Sequence, residues 1–425
     1  MLFNSALIGV GTLSLSFFII IFFVAESLSN FYLMPVCLLL IAFVLIVKFR
    51  KRTLFSLMLF FVFLFPFDFL MVYFSGATFF HAYDFNNINL VFLTLSFFCS
   101  FLLFIPSPKE YIKSYDLEYI NSNILFFFIL GVYLLGTMYL SGGNIFESDS
   151  SYGAYRDNLK NASGLNEYLI ILSCLFIIIK KTKAMRFFVC FAVSIYIFKS
   201  VIYGLRVQAL MQFIVFYFMF INKDIKSKYL FLALSSGFLL MLIYGFAKEG
   251  MIIEKIGFEL LVDTRYGYAQ SHQQGVLSSS TAMLNYKDLF PNVFLNIPSV
   301  MSASVIPRGI IGDILPWAYP SSFVQMFQYT PGGGLFTTQI YLLLGFPGLI
   351  IILLFMVSFL NSFLNLGNRK PNCIITLLFI VTVVFFPRWI SYDFFNYFAR
   401  SSFVLIMLYV FIYIFLKLNR SLRER

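Results

Sequence analysis

Apolar residues in this chain come in long blocks rather than in alternation with polar ones. About twelve runs stand out, at 6–24, 31–47, 53–75, 88–105, 123–140, 165–179, 187–203, 207–221, 229–247, 337–362, 373–386 and 401–416. A helix needs roughly 17–25 apolar residues to cross the hydrocarbon core of a bilayer. Backbone polar groups in lipid must find partners within their own segment, so such blocks predict helices. The expected fold is therefore an all-α polytopic membrane protein with about 12 transmembrane helices, a single integral membrane domain over 1–425. Three polar stretches separate the blocks unequally: 141–164, 248–336 and 387–400. The stretch "TPGGGLFTTQIYLLLGFPGL" (330–349) breaks the pattern, because it enters an apolar run through three glycines and interrupts it with Gly345, Pro347 and Gly348. Glycine and proline weaken a helix interior. Here they predict close packing and a bend.

Composition agrees with the pattern. The 425 residues are 60% hydrophobic and only 12% charged, against about 25% charged in soluble domains. The formal charge of +11 invites a nucleic-acid reading. The basic residues, however, lie in short clusters between apolar blocks, which is an orientation signal. The segments 48–52, 108–113, 180–186, 222–228, 368–370 and 417–425 hold 19 of the 30 Lys and Arg, and with twelve spans all six fall on one side. Both termini are then expected in the cytoplasm. The opposite face carries a large periplasmic loop, 248–336, and a smaller one, 141–164. The first apolar run has no preceding Lys or Arg and no small-residue cleavage pattern, so it is expected to be a retained span. The five cysteines lie inside apolar runs without CxxC spacing, which predicts neither a disulfide framework nor a metal site.

The remaining eleven cations run against the positive-inside bias: Arg156, Lys160, Lys199, Arg206, Lys248, Lys255, Arg265, Lys287, Arg308, Arg388 and Arg400. Six are Arg, the side chain suited to a bidentate grip on phosphate. Arg206 lies in "YGLRVQAL", at a hairpin tip where Gly204 permits the turn; the competing role is a snorkelling anchor. Lys199 is expected either to face the same cavity or to snorkel. Arg156 lies in "YRDNLKNASG", with pairing to Asp157 as its bland alternative. Arg265 lies in "VDTRYGYAQSHQQG", and Arg308 sits between Pro307 and Gly309, which imply a shaped backbone.

Acid–base candidates are His81, His272 and the carboxylates of the large loop. Asp263 and Asp313 lie near singled-out arginines, as a general base would need to. Spacing alone does not choose among Asp263, His272 and Asp313. Asp68 lies within the third apolar run, where an ionisable residue is a functional candidate or a hydrogen-bonded structural one. No Walker A sequence, GxGxxG or HExxH is present. An enzyme on the outer face has no soluble nucleotide to draw on, so its energy must come with the substrate. A lipid-linked diphosphate sugar fits that need, with arginines stabilising the charge that grows on the departing diphosphate.

The order of a "GLR" hairpin (203–210), a long outer segment ending in "SVIPRGIIGDILPWAYPSS" (304–322) and the run "QIYLLLGFPG" (339–348) resembles the Wzy O-antigen polymerases. That resemblance implies a C-type glycosyltransferase-like membrane fold in the bacterial inner membrane, with its active site facing the periplasm. It implies metal-independent, inverting glycosyl transfer without a cofactor. The donor would be a chain on polyprenyl (undecaprenyl) diphosphate, and the acceptor the non-reducing end of a new lipid-linked repeat unit. Arg156, Arg206, Arg265 and Arg308 would hold diphosphate or glycan, and Asp263, His272 or Asp313 would supply a base. Membrane lipid and a polysaccharide chain-length regulator are the implied partners, and no nucleic acid is. Family members often follow IPR with a tryptophan–proline pair and a lysine–proline; here the order is changed and the lysine is missing. O-antigen ligases share the architecture but carry a His–Asn pair ahead of a similar GxxG. Here that spacing lands on Gly334 and Leu335, which favours polymerase over ligase. A flippase or exporter is the alternative of another class, and the spans hold few of the charges such a path needs. A scaffold protein is the third alternative.

Overall fold

The computed structural model describes residues 2–76, 78–79, 85–112, 120, 122–140, 163–202, 206–221, 223–247, 264–265, 268–269, 272–306, 308–328, 330, 333–364 and 373–423. Each of the twelve apolar runs contains a helix. The first nine are α1 (Leu2–Ser27), α2 (Leu33–Lys48), α3 (Thr53–Ser75), α4 (Phe85–Leu102), α5 (Asn123–Leu140), α6 (Ser163–Ile178), α7 (Lys183–Ile202), α8 (Arg206–Phe220) and α9 (Ser227–Ala247). The polar stretch that follows supplies α10 (His272–Asn285), α11 (Val293–Val305), α12 (Arg308–Ile311) and α13 (Pro320–Val324). The chain then runs through α14 (Phe336–Leu364), α15 (Cys373–Val384), α16 (Phe386–Ser391) and α17 (Ser401–Arg423). Among the described residues, five helical segments are long and apolar enough to cross a membrane: Gly9–Ser27, Thr53–Ser75, Lys183–Val201, Phe336–Leu364 and Phe395–Phe415. Seven further apolar helices have 10–17 residues. Among the described residues strand is confined to three two-residue pieces, β1 (Thr78–Phe79), β2 (Thr264–Arg265) and β3 (Tyr268–Ala269); β3 pairs parallel to β1 and antiparallel to β2.

The chain forms two compact units. The first comprises Met1–Ile112, Asp224–Asn365 and Arg388–Tyr397. In it α2 packs on α3 and α4, α1 packs on α4, and α14 packs on α4 and α11. The second comprises Lys113–Lys223, Leu366–Pro387 and Phe398–Arg425. In it α5 packs on α6 and α7, α8 on α6 and α7, and α15 on α6, α8 and α17. Both units expose large apolar side chains, such as Leu13, Phe23 and Phe43 in the first and Phe128, Leu135 and Phe187 in the second. Soluble surfaces avoid broad apolar patches, whereas a lipid-facing surface requires them.

The expected outer loop over 248–336 carries secondary structure where the chain is described. From His272 onward it is largely helical, and α10 packs against α3, α4, α13 and α14. Residues Gln274 through Leu284 are all buried, although "HQQGVLSSSTAMLN" reads as polar. The hydroxyls explain the burial. Ser279, Ser280 and Thr281 donate to the carbonyls of Gly275, Val276 and Leu277, one turn back. Each hydroxyl is thus satisfied by its own helix, and the outer surface of α10 is left effectively apolar. The "PWAYP" region is also anchored: Trp317 Nε1 donates to Ser299 Oγ at 3.1 Å, and Ala318 and Tyr319 bury against Ala303 and Ile311.

The expected bend in the glycine-interrupted run is present in α14. Gly345 has φ 69° and ψ −175°, a conformation essentially restricted to glycine, inside an otherwise helical span. Pro347 lacks the N–H that would bond the carbonyl of Leu343. Asn296 of α11 replaces that donor, its Nδ2 lying 3.1 Å from Leu343 O. The break therefore leaves no orphaned carbonyl at Leu343, and it ties α11 to α14.

The basic segment 48–52 also does structural work. The Asp224 carboxylate accepts from Thr53 N (3.0 Å), Ile112 N (2.8 Å) and Arg52 Nη1 (3.2 Å). Arg52 Nε reaches Leu364 O at 3.2 Å, and Nη1 reaches Glu110 O. Four chain segments of the first unit converge on this one ion pair.

Candidate active site

The second convergence in the first unit lies where the glycine stretch meets the segment after α16. Gly333 has φ 85°, and a Cβ there would lie 2.5 Å from Ser391 O and 3.3 Å from the Tyr392 ring. Only glycine fits, on grounds of both backbone and space. Its neighbour Gly334 donates its N–H to Ser391 O at 2.7 Å, and Leu335 N donates to Ser280 Oγ at 2.8 Å. Fully buried Gln339, in the first turn of α14, completes the clamp. Its amide nitrogen donates to Tyr392 O and Gly334 O, and its Oε1 accepts from Phe394 N. Beneath lies an aromatic floor, with the fully buried Trp389 edge-on to Phe336 and Phe394.

The clamp fixes Tyr392, and two chemically active side chains, His272 and Arg388, gather around it. The His272 ring, at the N-terminus of α10, lies 5.6 Å from the Tyr392 ring and 6.4 Å from Phe61 of α3. The Arg388 guanidinium sits 4.3 Å from the centre of the Tyr392 ring and 5.4 Å from that of Tyr397. A guanidinium over an aromatic face is held there by the ring quadrupole. Two residues along α10, Gln274 donates to Asp68 Oδ2 at 2.7 Å, so α10 is tied to the carboxylate inside α3. Asp393 is buried and accepts from Asn396 N at 3.1 Å, which caps the following turn. That turn, Phe395–Arg400, is a π-helix, a winding common at functional sites.

Of the residues singled out by sequence, His272 enters this cluster and Asp68 joins it through Gln274. Asp313 instead lies exposed after α12. Arg206, Arg265 and Arg308 are placed by their backbone alone: Arg206 opens α8, Arg265 lies in β2 and Arg308 opens α12. Arg156, Asp263 and His81 lie outside the described residues. Lys199 packs inside the second unit. It is 3% exposed in the second unit, and its ammonium donates to Thr137 O of α5 at 3.2 Å. Sequence reasoning passed over Arg388, Tyr392 and Gln339 as site residues. The available signal was Arg388 itself, a cation counted on the outer side but given no role.

The ligase argument also changes. At 334 and 335 there is no histidine, and a side chain at Gly334 would meet Met283 Cε at 2.2 Å. Yet an imidazole does reach this junction, because α10 brings His272 against the ring that borders Gly333. Comparison with known proteins adds no assignment: no family model, curated protein or solved structure matches this chain.

Proposed function

We propose that this protein is a multi-pass glycosyltransferase of the bacterial inner membrane. It polymerises lipid-linked oligosaccharide repeat units at the periplasmic face. In this reading the growing chain is transferred from polyprenyl diphosphate to the non-reducing-end hydroxyl of a new repeat unit, with inversion and without a metal. About twelve spans with both termini cytoplasmic belong to the same reading. The observation that carries it is the cluster of His272, Tyr392 and Arg388 on a glycine-permitted backbone junction. Aromatic faces suit the C–H surfaces of a sugar, and Arg388 suits a diphosphate oxygen. His272 is the base candidate that lies in this cluster, and it takes the acceptor proton. Arg206, Arg265, Arg308 and Arg156 retain the diphosphate and glycan roles implied by the resemblance, and a chain-length regulator remains the implied partner.

O-antigen ligase is a second reading, and His272 at the glycine junction favours it more than the sequence spacing alone does. One experiment separates the two. In a deletion strain, the polymerase reading expects lipopolysaccharide that keeps a single repeat unit but loses its long ladder. Loss of every repeat unit would point to the ligase or to a flippase. In the complemented strain, Arg308→Ala and Arg206→Ala are expected to abolish the ladder at normal protein abundance. Wild-type ladders from both would remove the diphosphate-clamp role.

A further inference from the structure

A groove of about 610 Å³ runs along the outside of the first unit, lined by α1, α2 and the end of α4. That volume is within the ~300–1,000 Å³ typical of ligand sites. Leu13, Phe17 and Ile20 of α1 form one wall, Ile41 and Val44 of α2 the other, and Leu103 closes one end. The lining is almost wholly apolar. Ser14 sits in the floor, where its hydroxyl is already within 3.2 Å of Ser100 Oγ.

The closed end is cationic. Positions 41, 44 and 48 share one face of α2, so the apolar stripe that walls the groove continues directly into Lys48. The Lys48 ammonium donates to the carbonyl of Leu103, the closing residue, at 2.8 Å. An ammonium has three donors, and Lys48 remains partly exposed, so it can also serve a ligand. Arg50 lies exposed two residues further on. An apolar trough that ends in a fixed cation complements a molecule with a long hydrocarbon chain and an anionic head.

We infer that this groove is a selective site for an anionic phospholipid, one chain lying between α1 and α2 and the phosphate against Lys48. It is formed by elements other than the His272 cluster and does not rest on the glycosyltransferase reading.

The test uses the full-length protein in detergent, mixed with equal amounts of phosphatidylglycerol and phosphatidylcholine, with retained lipid read by native mass spectrometry. The wild type is expected to retain phosphatidylglycerol preferentially. Lys48→Gln is expected to reduce that preference about fivefold, the worth of one interfacial cation. Leu13→Trp, which fills the groove without touching charge, is expected to lose the retained lipid, and melting curves check that both variants are folded. Equal retention of the two lipids by the wild type overturns the site. A preference lost in Lys48→Gln but kept in Leu13→Trp also overturns it, because the anion then binds the surface cations and not the groove.

Discussion

Two polar convergences in the same unit are built in opposite ways. At Asp224 the carboxylate takes two backbone N–H groups and a guanidinium, and Arg52 also donates through Nε and Nη1 to the carbonyls of Leu364 and Glu110. The Asp224 side chain is fully buried. At Tyr392 the backbone is clamped just as tightly by Gln339 and Gly334, but the charged side chain above it rests on aromatic faces. A guanidinium bound to a buried carboxylate and to carbonyls from distant segments ties the fold together; one laid on ring faces at a clamped junction is the candidate for function. The contrast teaches which arginine to suspect of function, and residue type alone does not separate them.

Substitutions can break this comparison. The largest effect is expected at Asp224→Ala. Removing one partner of a buried pair costs about 3–5 kcal/mol, so the protein should lose thermal stability and abundance whatever its activity. His272→Ala should do the reverse, lowering glycan-polymer synthesis by about 10²–10⁴-fold, the usual worth of a general base, at near-normal melting temperature. Arg388→Ala should lower it by about 10²–10³-fold if the cation stabilises developing charge. Should Arg388→Ala instead melt the protein as Asp224→Ala does, the two regions are alike and the functional assignment fails.

The glycines sharpen the comparison further. Gly333→Ala should cost about 1–3 kcal/mol through its left-handed backbone and should displace Tyr392, so stability and activity fall together. Gly334→Ala should cost less than about 1 kcal/mol, because its obstacle is the flexible end of Met283. Circular-dichroism melts of the two variants rank them.

A pH-dependent effect concerns Lys181 in the short connection between α6 and α7, a counterpoint to Arg52. Its ammonium donates to the carbonyls of Phe176 and Ile179. Burial, with Arg186 nearby, lowers its pKa from 10.5 to about 8. The unfolded chain therefore binds the extra proton between about pH 8 and 10.5, and stability should rise with pH across that window. Lys181→Met should reduce the rise, as a comparison of melting temperatures at pH 7.5 and 10 will measure.

Much of the helical framework was legible because long apolar blocks have few other ways to satisfy their backbones in lipid. The bend at Gly345 was legible too, since Pro347 must break the hydrogen-bond ladder. Helix α10 was not legible. Its serines and threonines read as loop, and only their bonds to carbonyls one turn back make it fit for burial. The cluster was legible in its parts but not in its assembly: His272, Asp68 and Arg388 stand far apart in the chain, and no spacing rule connects them.

By itself, then, the sequence determined local matters: which apolar segments are helical and where the chain must bend. These follow from hydrogen bonding and sterics within a few residues. The tertiary structure decided which arginine pairs with a buried carboxylate and which rests on aromatic rings. That choice depends on neighbours drawn from distant segments, so only the packed helices set Arg52 and Arg388 apart.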